Sequence, residues 1–428
     1  MSATIEHKAS DLKEALLSGV LSSDELELPI GQAAKNALSI LEFPNSRTEE
    51  WKYTRVGKLI KQQFAAPSLR PITIEDHLIP DLDADRMVFV NGIFDESNSM
   101  ITNRDITVTD LASLKEFPSQ MGKLSLHDTR IFEAFNSAFP TNGLLVQIPK
   151  GHTSTKPLHV IHIASGSGQL SQPRHLIIAE EGSEAEVIFS YHSENAKGCL
   201  TNSVLECFVS NNAKLGIDII QNEESLNSNI YSTHVHQSRD SHFKINTLTL
   251  NGQFVRNDLN IRVDAQNCES ILNGAYILNE DQHVDNHTIV DHLSPNCNSS
   301  ELYKGVISDK ATAVFNGKVF VRQDAQKVNA FQSNANILLS DDATINSKPE
   351  LEIYADDVKC SHGSTTGQLD EEALFYLRSR GIPMEQAKEL LVKAFVADVI
   401  ENIDIDAVRK YIGDLIDKKL AHCTSRTK

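Results

Sequence analysis

A long stretch of alternating apolar and polar residues, from about residue 86 to residue 365, constrains the fold of this chain more than any other feature. In "DLNIRVDA", Leu259, Ile261 and Val263 alternate with polar residues, which predicts a strand with one buried and one exposed face. Clusters of Asn, Asp, Ser and Gly, such as "SNNAK" and "SPNCNSS", favour tight turns between strands, and no intervening helix is predicted. A sandwich and a stacked β-helix both fit, and the length slightly favours the β-helix, because a solenoid grows by adding coils.

The N-terminal region, residues 1–85, shows helical periodicity instead. Apolar residues recur there at helical steps: Leu12, Ala15, Leu16 and Val20, then Ala34, Ala37, Leu38 and Leu41, with Pro44 as a stop. Ser46 and Glu49 in "SRTEEWKYT" fit a capping box, which predicts a short helix. Trp51 and Tyr53 in the same segment are expected to fill a local core.

The C-terminal region, residues 366–428, predicts three amphipathic helices. Asp370 can cap the first helix, Gly381 can end it, and Pro383 suits the first turn of the second. The predicted apolar stripes are Leu390, Leu391, Ala394, Phe395, Val399 and Ile403 in the second helix, and Val408, Ile412, Leu415 and Ile416 in the last. Such helices would dock a partner protein, cap the end of a solenoid, or do both.

Charge and cysteine usage exclude several classes of protein. The chain has 428 residues, of which 40 are Lys or Arg and 58 are Asp or Glu, so its net charge is −18. This acidic balance argues against binding to nucleic acid or to an anionic membrane surface. We expect no signal peptide, transit peptide or membrane span. The six cysteines are scattered without a CxxC pair, which predicts reduced thiols in a cytoplasmic protein.

Motifs for common enzymes are missing from the sequence. "VGKLI", "MGKLS" and "NGKVF" all lack the Ser or Thr of a phosphate-binding loop, and no G-x-S-x-G or H-E-x-x-H motif is present. His234 and His236 have ligand-like spacing on one face of a strand, but a third zinc ligand cannot be named from sequence. A solvated polar face is the simpler interpretation of these histidines, and of the further histidines in "HVDNHTIVDH".

The segment "KCSHGSTTG" holds the strongest candidates for chemistry, Cys360 and His362. If the strand continues through them, their side chains lie on the same face. A histidine can lower the pKa of a nearby thiol, and thiolates are the usual ligands of iron–sulfur clusters. Clusters generally need about four ligands, so this pair is half a site that another chain would complete. The alternative is a buried cysteine beside a turn histidine.

Two blocks of the sequence resemble the SufB/SufD family of SUF iron–sulfur cluster assembly proteins, and the SufD group in particular. The first block is "SRTEEWKYT". The second runs from "SKPELEIYADDVKCSHGSTTGQLDEEALFYLRSRGIP" through "AKELLVKAFVADVIENI". The order of the three regions agrees with the family over essentially the whole chain. The SufB group is the nearest competitor, but its chains are longer and lack the "EEWKYT" signature.

The resemblance implies a right-handed parallel β-helix core with helical N- and C-terminal regions. It also implies a non-catalytic subunit that pairs with a SufB-like paralogue and docks a SufC-like ATPase through its C-terminal helices. Cys360 and His362 match the family element that lies at the pairing interface, where a nascent cluster forms. The isolated chain is expected to hold no cofactor, with an iron–sulfur cluster present only transiently at that interface. A homodimer of the isolated chain is a further expectation.

A second hypothesis, from another class, is a stand-alone β-helix enzyme acting on polysaccharide. Its paired carboxylates would be Asp341 and Asp342. Neighbouring strand residues point to opposite faces, however, and fold analogy alone does not carry function.

Overall fold

The computed structural model describes residues 26–103, 105–223 and 226–425, so the helix predicted around Leu12 and Val20 lies outside the described residues. The strands are β1 Asp85–Val90, β2 Ile93–Phe94, β3 Thr107–Asp110, β4 Gly143–Ile148, β5 Leu158–Ser167, β6 Leu170–Ser171, β7 Arg174–Ala179, β8 Glu184–Lys197, β9 Leu200–Val209, β10 Lys214–Gln221, β11 Ser228–Gln237, β12 His242–Thr249, β13 Phe254–Val263, β14 Glu269–Leu278, β15 His283–His292, β16 Asn298–Ile307, β17 Thr312–Val321, β18 Asn329–Leu338, β19 Thr344–Ile353 and β20 Lys359–Gly367. The α-helices are α1 Gly31–Ile40, α2 Ile131–Ala138, α3 Glu371–Ser379, α4 Met384–Ile400 and α5 Asp406–Ser425. Short 3₁₀ segments are Glu49–Trp51, Leu59–Lys61, Ile74–His77, Glu96–Asn98 and Leu111–Ser113.

From β7 onward the chain alternates between two sheets, so that each coil contributes one strand to each. Sheet 1 has the strand order β2-β1-β5-β8-β10-β12-β14-β16-β18-β20, and sheet 2 has the order β19-β17-β15-β13-β11-β9-β7-β4-β3. Strands in register on successive coils are parallel, and only the β1–β2 and β3–β4 pairs are antiparallel. Backbone hydrogen bonds between neighbouring coils link residues that are 26 apart, as Asp240 and Gln266, up to 33 apart, as Thr344 and Ala311. The expectation of a parallel β-helix with helical ends is therefore confirmed.

One corner of the solenoid is built by the same local conformation in successive coils. A residue with φ between 57° and 61° turns the chain at Asn212, Asp240, Asn267, Asn296 and Lys327. Asn and Asp tolerate this left-handed conformation better than other residues that carry a side chain. The next residue of each coil is buried: Ala213, Ser241, Cys268, Cys297 and Val328. Each coil thus places a small or apolar side chain at the same inner corner.

The core fills the space between the two sheets, and the predicted alternation is confirmed in β13. Leu259, Ile261 and Val263 are 5%, 1% and 0% exposed, respectively. Fully burying such a side chain contributes about 1.5–3 kcal/mol relative to leaving it exposed. The same inward positions on successive strands stack into one continuous apolar cluster along the solenoid.

Three predictions for the first half of the chain were wrong in whole or in part. Helix α2 interrupts the stretch predicted to hold only strands, and all of its residues are buried, between α1 and the sheet. The segment "SRTEEWKYT" forms a 3₁₀ turn that begins after Thr48, and Ser46 does not cap it. The predicted local core is confirmed for Trp51, whose ring lies 4.2 Å from the Arg256 guanidinium and 5.5 Å from the Phe132 ring, but is wrong for Tyr53, which is 42% exposed.

The C-terminal helices cover the outer face of sheet 1 rather than the end of the solenoid. Apolar residues of α4 and α5 pack on outward-facing residues of β8, β10, β12, β14 and β16. Asp370 caps α3 as predicted, by accepting hydrogen bonds from the backbone N–H groups of Glu372 and Ala373. Within the described ranges, no helix is long and apolar enough to cross a membrane.

The buried stripe of α4 agrees with the predicted one only in part. Val399 and, just after the helix, Ile403 are buried as predicted, but the other buried residues of the helix are Ala387, Val392 and Val396, and Leu390 is 47% exposed. In α5 the predicted stripe is confirmed, since Val408, Ile412, Leu415 and Ile416 are all buried.

Candidate functional site

The segment that holds Cys360 and His362 is a strand, β20, and forms the last strand of sheet 1. It pairs with β18 on one side, and no described residue pairs with its other edge. Sheet 2 ends in the same way at β19. A free strand edge presents a row of backbone N–H and C=O groups that can pair with another chain. The two candidate residues therefore lie at the open end of the solenoid.

Strand register shows where the two side chains point. Cys360 pairs with Ala330 of β18, and His362 pairs with Gln332. Both β18 residues face the interior, with 0% and 4% exposure. Because residues in register lie on the same face of a sheet, Cys360 and His362 also face the space between the sheets. The structure thus brings them together on one inward face, as predicted for a continuing strand.

The two residues differ in burial and reactivity. Cys360 packs against the end of the apolar core, whereas His362 is exposed. Burial raises the pKa of the Cys360 thiol above its usual value. A thiolate activated by its neighbouring histidine, as the sequence suggested, is therefore not the resting state of this residue. The imidazole of His362 is therefore the more accessible side chain of the pair.

Beneath His362 runs a column of buried polar side chains that the sequence analysis did not identify. Gln332 Nε2 donates a hydrogen bond of 2.6 Å to Glu301 Oε2, and Thr288 Oγ1 donates one of 2.5 Å to Glu301 Oε1. Burial raises the pKa of Glu301 to about 7. Since Glu301, Gln332 and His362 occupy one register position on β16, β18 and β20, a carboxyl that titrates near neutrality lies two strands below the open end.

Part of the interior of the last coil is polar as well, beside the apolar Ile345 and Leu351. Ser347 of β19 donates a hydrogen bond of 2.8 Å to Asn334 Oδ1 and lies 2.8 Å from the Ser364 hydroxyl of β20. These contacts join the two sheets at the open end. The candidate site is therefore a shallow polar surface formed by β18, β19 and β20.

The histidines proposed as metal ligands have structural roles instead. His234 is buried, and its Nε2 lies 2.9 Å from Glu133 Oε2. His236 Nε2 lies 3.3 Å from Asp264 Oδ2, at the surface. Both the metal site and the solvated face are thus wrong for His234, which is buried within hydrogen-bonding distance of Glu133. No group of three His, Cys, Asp or Glu side chains suited to a metal ion occurs within the described ranges.

The paired carboxylates of the polysaccharide hypothesis lie away from the polar column. Asp341 and Asp342 are exposed in the turn between β18 and β19. A cavity of about 250 Å³ lies between that turn and the C-terminal helices, and Asp341, Leu369 and Leu374 are among the residues that line it.

The C-terminal helices present an exposed apolar surface. Phe375 and Tyr376 of α3 are 75% and 57% exposed, and Leu390 of α4 is 47% exposed. The sequence analysis named Leu390 but missed the two aromatic residues. Helical periodicity in the sequence could have identified them, because a helix that turns Ala373, Leu374 and Leu377 inward must turn residues 375 and 376 outward.

Comparisons with known proteins cover almost the whole chain. Two family models match: "SUF system FeS cluster assembly, SufBD core domain" over residues 162–395, and "SufBD protein N-terminal region" over residues 27–160. The chain is 30% identical to the iron-sulfur cluster assembly protein SufD of Escherichia coli (strain K12), over 88% of this chain and 89% of that protein. It is 29% identical to an iron-sulfur cluster assembly SufBD family protein of Synechocystis, over 95% and 93% of the two chains. It is 28% identical to the chloroplastic protein ABCI7 of Arabidopsis thaliana, over 95% and 90%.

Proposed function

The chain belongs to the SufBD family of SUF-system FeS cluster assembly proteins, and from this premise we propose that it is a non-catalytic subunit of a cluster assembly scaffold. In this proposal it pairs with a SufB-like paralogue and docks a SufC-like ATPase. The complex supports iron acquisition and the formation of a nascent cluster, which is its product rather than a resident cofactor. The observation that carries the proposal is the unpaired edge of β20, with Cys360 and His362 on its inward face.

The pairing step uses the free edges of β19 and β20. A partner with a free sheet edge of its own can add strands to these edges, and backbone hydrogen bonds then supply the affinity. Iron–sulfur clusters generally need about four protein ligands, and the described residues of this chain hold no preassembled group of even three. His362, with Cys360 beside it, would contribute to a site that the partner's thiolates complete.

The ATPase would contact the outer surface of the C-terminal helices. Phe375, Tyr376 and Leu390 are exposed there, although large apolar side chains are usually buried. This surface is separate from the free strand edges, so both partners can bind at once. The absence of a phosphate-binding loop from this chain agrees with an ATPase activity that resides in a partner.

The experiment is co-expression of the chain with a SufB-like and a SufC-like protein, followed by size-exclusion chromatography with mass determination. A complex that contains all three chains is expected. His362→Ala should leave the complex intact and lower the yield of reconstituted cluster. The matched control is Ser361→Ala, because Ser361 is the neighbour of His362 on the opposite face of β20.

The outcomes separate the parts of the proposal. A chain that elutes alone, while the other two associate, refutes the pairing. A normal cluster yield from the His362→Ala complex refutes the role of His362 but not the pairing. Phe375→Ser should remove the ATPase from the complex, whereas Ile40→Ser, at an equally exposed apolar residue of α1, should retain it. Retention of the ATPase by both variants contradicts the assigned docking surface.

A further inference from the structure

Two cysteines, Cys268 and Cys297, lie one above the other at the corner of neighbouring coils. Each directly precedes a strand, and those strands pair in register with Glu269 opposite Asn298. The backbone N–H of Asn298 donates a hydrogen bond of 2.9 Å to the carbonyl oxygen of Cys268. Neighbouring strands are about 4.8 Å apart, which is within the Cα separation of about 4.4–6.8 Å that a disulfide requires.

The two sulfur atoms also lie on the same side of the corner. Cys268 Sγ is 3.1 Å and Cys297 Sγ is 3.3 Å from one shared acceptor, the carbonyl oxygen of Ala265. Cys199, Cys207 and Cys360 are free thiols whose register neighbours on adjacent coils are not cysteines. The Cys268–Cys297 pair is therefore the one place among the described residues where the fold aligns two thiols.

We infer that Cys268 and Cys297 are a dithiol modification site, which a small hydroperoxide oxidises to an intramolecular disulfide between successive coils. This inference does not rest on the proposed function, since it concerns the corner of the solenoid and not its open end.

The reaction balances with hydrogen peroxide as the oxidant. The Cys268 thiolate attacks one peroxide oxygen, the O–O bond breaks, and a sulfenic acid and hydroxide form. The Cys297 sulfur then attacks the sulfenic sulfur, the S–S bond forms, and the second hydroxide leaves. The two thiols lose two electrons and two protons in total, and the peroxide becomes two molecules of water.

Local hydrogen bonding indicates which cysteine attacks the peroxide and which one then attacks the sulfenic acid. A hydrogen bond from the Cys297 thiol lowers the pKa of Cys268 against the effect of burial, and the Ser241 hydroxyl, 3.7 Å from Cys268 Sγ, adds to this effect. The pKa of Cys297 is raised, because Cys268 accepts its proton in that bond. Cys268 is thus the attacking thiol and Cys297 the one that resolves the sulfenic acid.

A small oxidant can reach the pair although both side chains are buried. Each cysteine directly follows an exposed turn residue, Asn267 or Asn296. The thiols are therefore one residue below the surface of the corner. A bulky oxidant such as a protein disulfide is excluded at this depth, whereas peroxide is about the size of a water molecule.

The test treats the reduced, folded, full-length chain with hydrogen peroxide and maps the products by mass spectrometry under non-reducing conditions. The expected product has lost two hydrogen atoms and contains a peptide that links Cys268 to Cys297. Reduction with dithiothreitol should restore both thiols. Because the bond closes a loop across one coil, the Tm should rise on oxidation.

Three variants complete the test. Cys297→Ser cannot form the bond and should leave a sulfenic acid on Cys268 that dimedone traps. Cys268→Ser should give neither product. Cys207→Ser, which removes a thiol buried to the same extent in sheet 2, should form the link as the parent does.

Two results would overturn the inference. One is a native chain that keeps both thiols under peroxide while the urea-unfolded chain loses them, because the pair would then only fill the core. The other is a disulfide that joins different cysteines. The circular dichroism spectrum of each variant, recorded before oxidation, shows whether a missing link reflects misfolding.

Discussion

Replacing Glu301 by Gln should stabilise the protein at neutral and alkaline pH. Glu301 is 4% exposed and accepts hydrogen bonds from Gln332 and Thr288, and burial raises its pKa to about 7 from an ordinary value of 4.5. Glutamine has the shape of the protonated acid but cannot ionise. The side chain at position 301 of the variant therefore stays neutral at every pH, and the neutral form is the one that burial favours.

The size and sign of the effect follow from proton linkage. The unfolded chain releases the proton near pH 4.5 and the folded chain near pH 7. The stability that the neutral acid contributes is fully present below pH 4.5 and is lost as the pH rises through 7. A pKa difference of about 2.5, at about 1.4 kcal/mol for each pKa unit, gives a loss of about 3 kcal/mol in wild type that the variant does not suffer.

The assay is equilibrium unfolding in urea of both proteins at a series of pH values. The difference in unfolding free energy should grow by about 3 kcal/mol between about pH 4.5 and about pH 8.5. Other buried carboxyls with raised pKa values, Asp218 and Glu223, are common to both proteins and cancel in the difference. Glu75→Gln, at an exposed carboxylate, is the control and should show no such growth. A difference that does not change with pH would refute the assigned protonation state of Glu301.

Two further changes probe the interior. Arg174 and Glu206 form an ion pair with both side chains 0% exposed, so Arg174→Met should cost roughly 3–5 kcal/mol in urea unfolding, because it leaves the buried Glu206 carboxylate with backbone N–H donors only; a cost below about 1 kcal/mol would show that those N–H groups compensate the charge on their own. At Gly305 an added Cβ would lie 2.2 Å from the Tyr276 ring, so Gly305→Ala should lower stability by about 1–3 kcal/mol, whereas Gly363→Ala, with nothing within 4 Å, should not; equal effects of the two changes would show that the tyrosine moves aside.

The sequence favoured the β-helix only slightly, because successive coils share a backbone conformation at the turn rather than the same residues. The left-handed turn position is Asn at residue 267, Asp at residue 240 and Lys at residue 327. The buried position that follows is Cys, Ser or Val in those three coils. Coils also vary by several residues in length, so no fixed period exists for a sequence comparison to detect.

The alternation of apolar and polar residues does not identify the inward face of a strand when both of its faces are covered. In β16, Leu302 faces the C-terminal helices, while Glu301 faces the interior, so reading the apolar residue as the inward one reverses the strand. The same covering explains why the stripe in α4 was predicted only in part. That helix is apolar around most of its circumference, and only its packing on sheet 1 selects Val392 over Leu390. The common face of Cys360 and His362 could be predicted because β20 continues as a regular strand through both residues.

The polar interior of the last coils gives a physical reason for an open end to persist. A solenoid whose terminal coil exposed only apolar side chains would aggregate or require a cap. Here α4 and α5 lie along the side of sheet 1. Beside the partly buried Ile345 and Leu351, the terminal interior holds the polar side chains of Gln332, Asn334 and Ser347. Water can hydrate these groups when the edge is free, which lowers the cost of leaving it uncovered. In the proposed function, a partner that covers the edge would gain affinity from strand pairing and from groups that His362 binds, so strand register and ligand geometry would both contribute to recognition at this end.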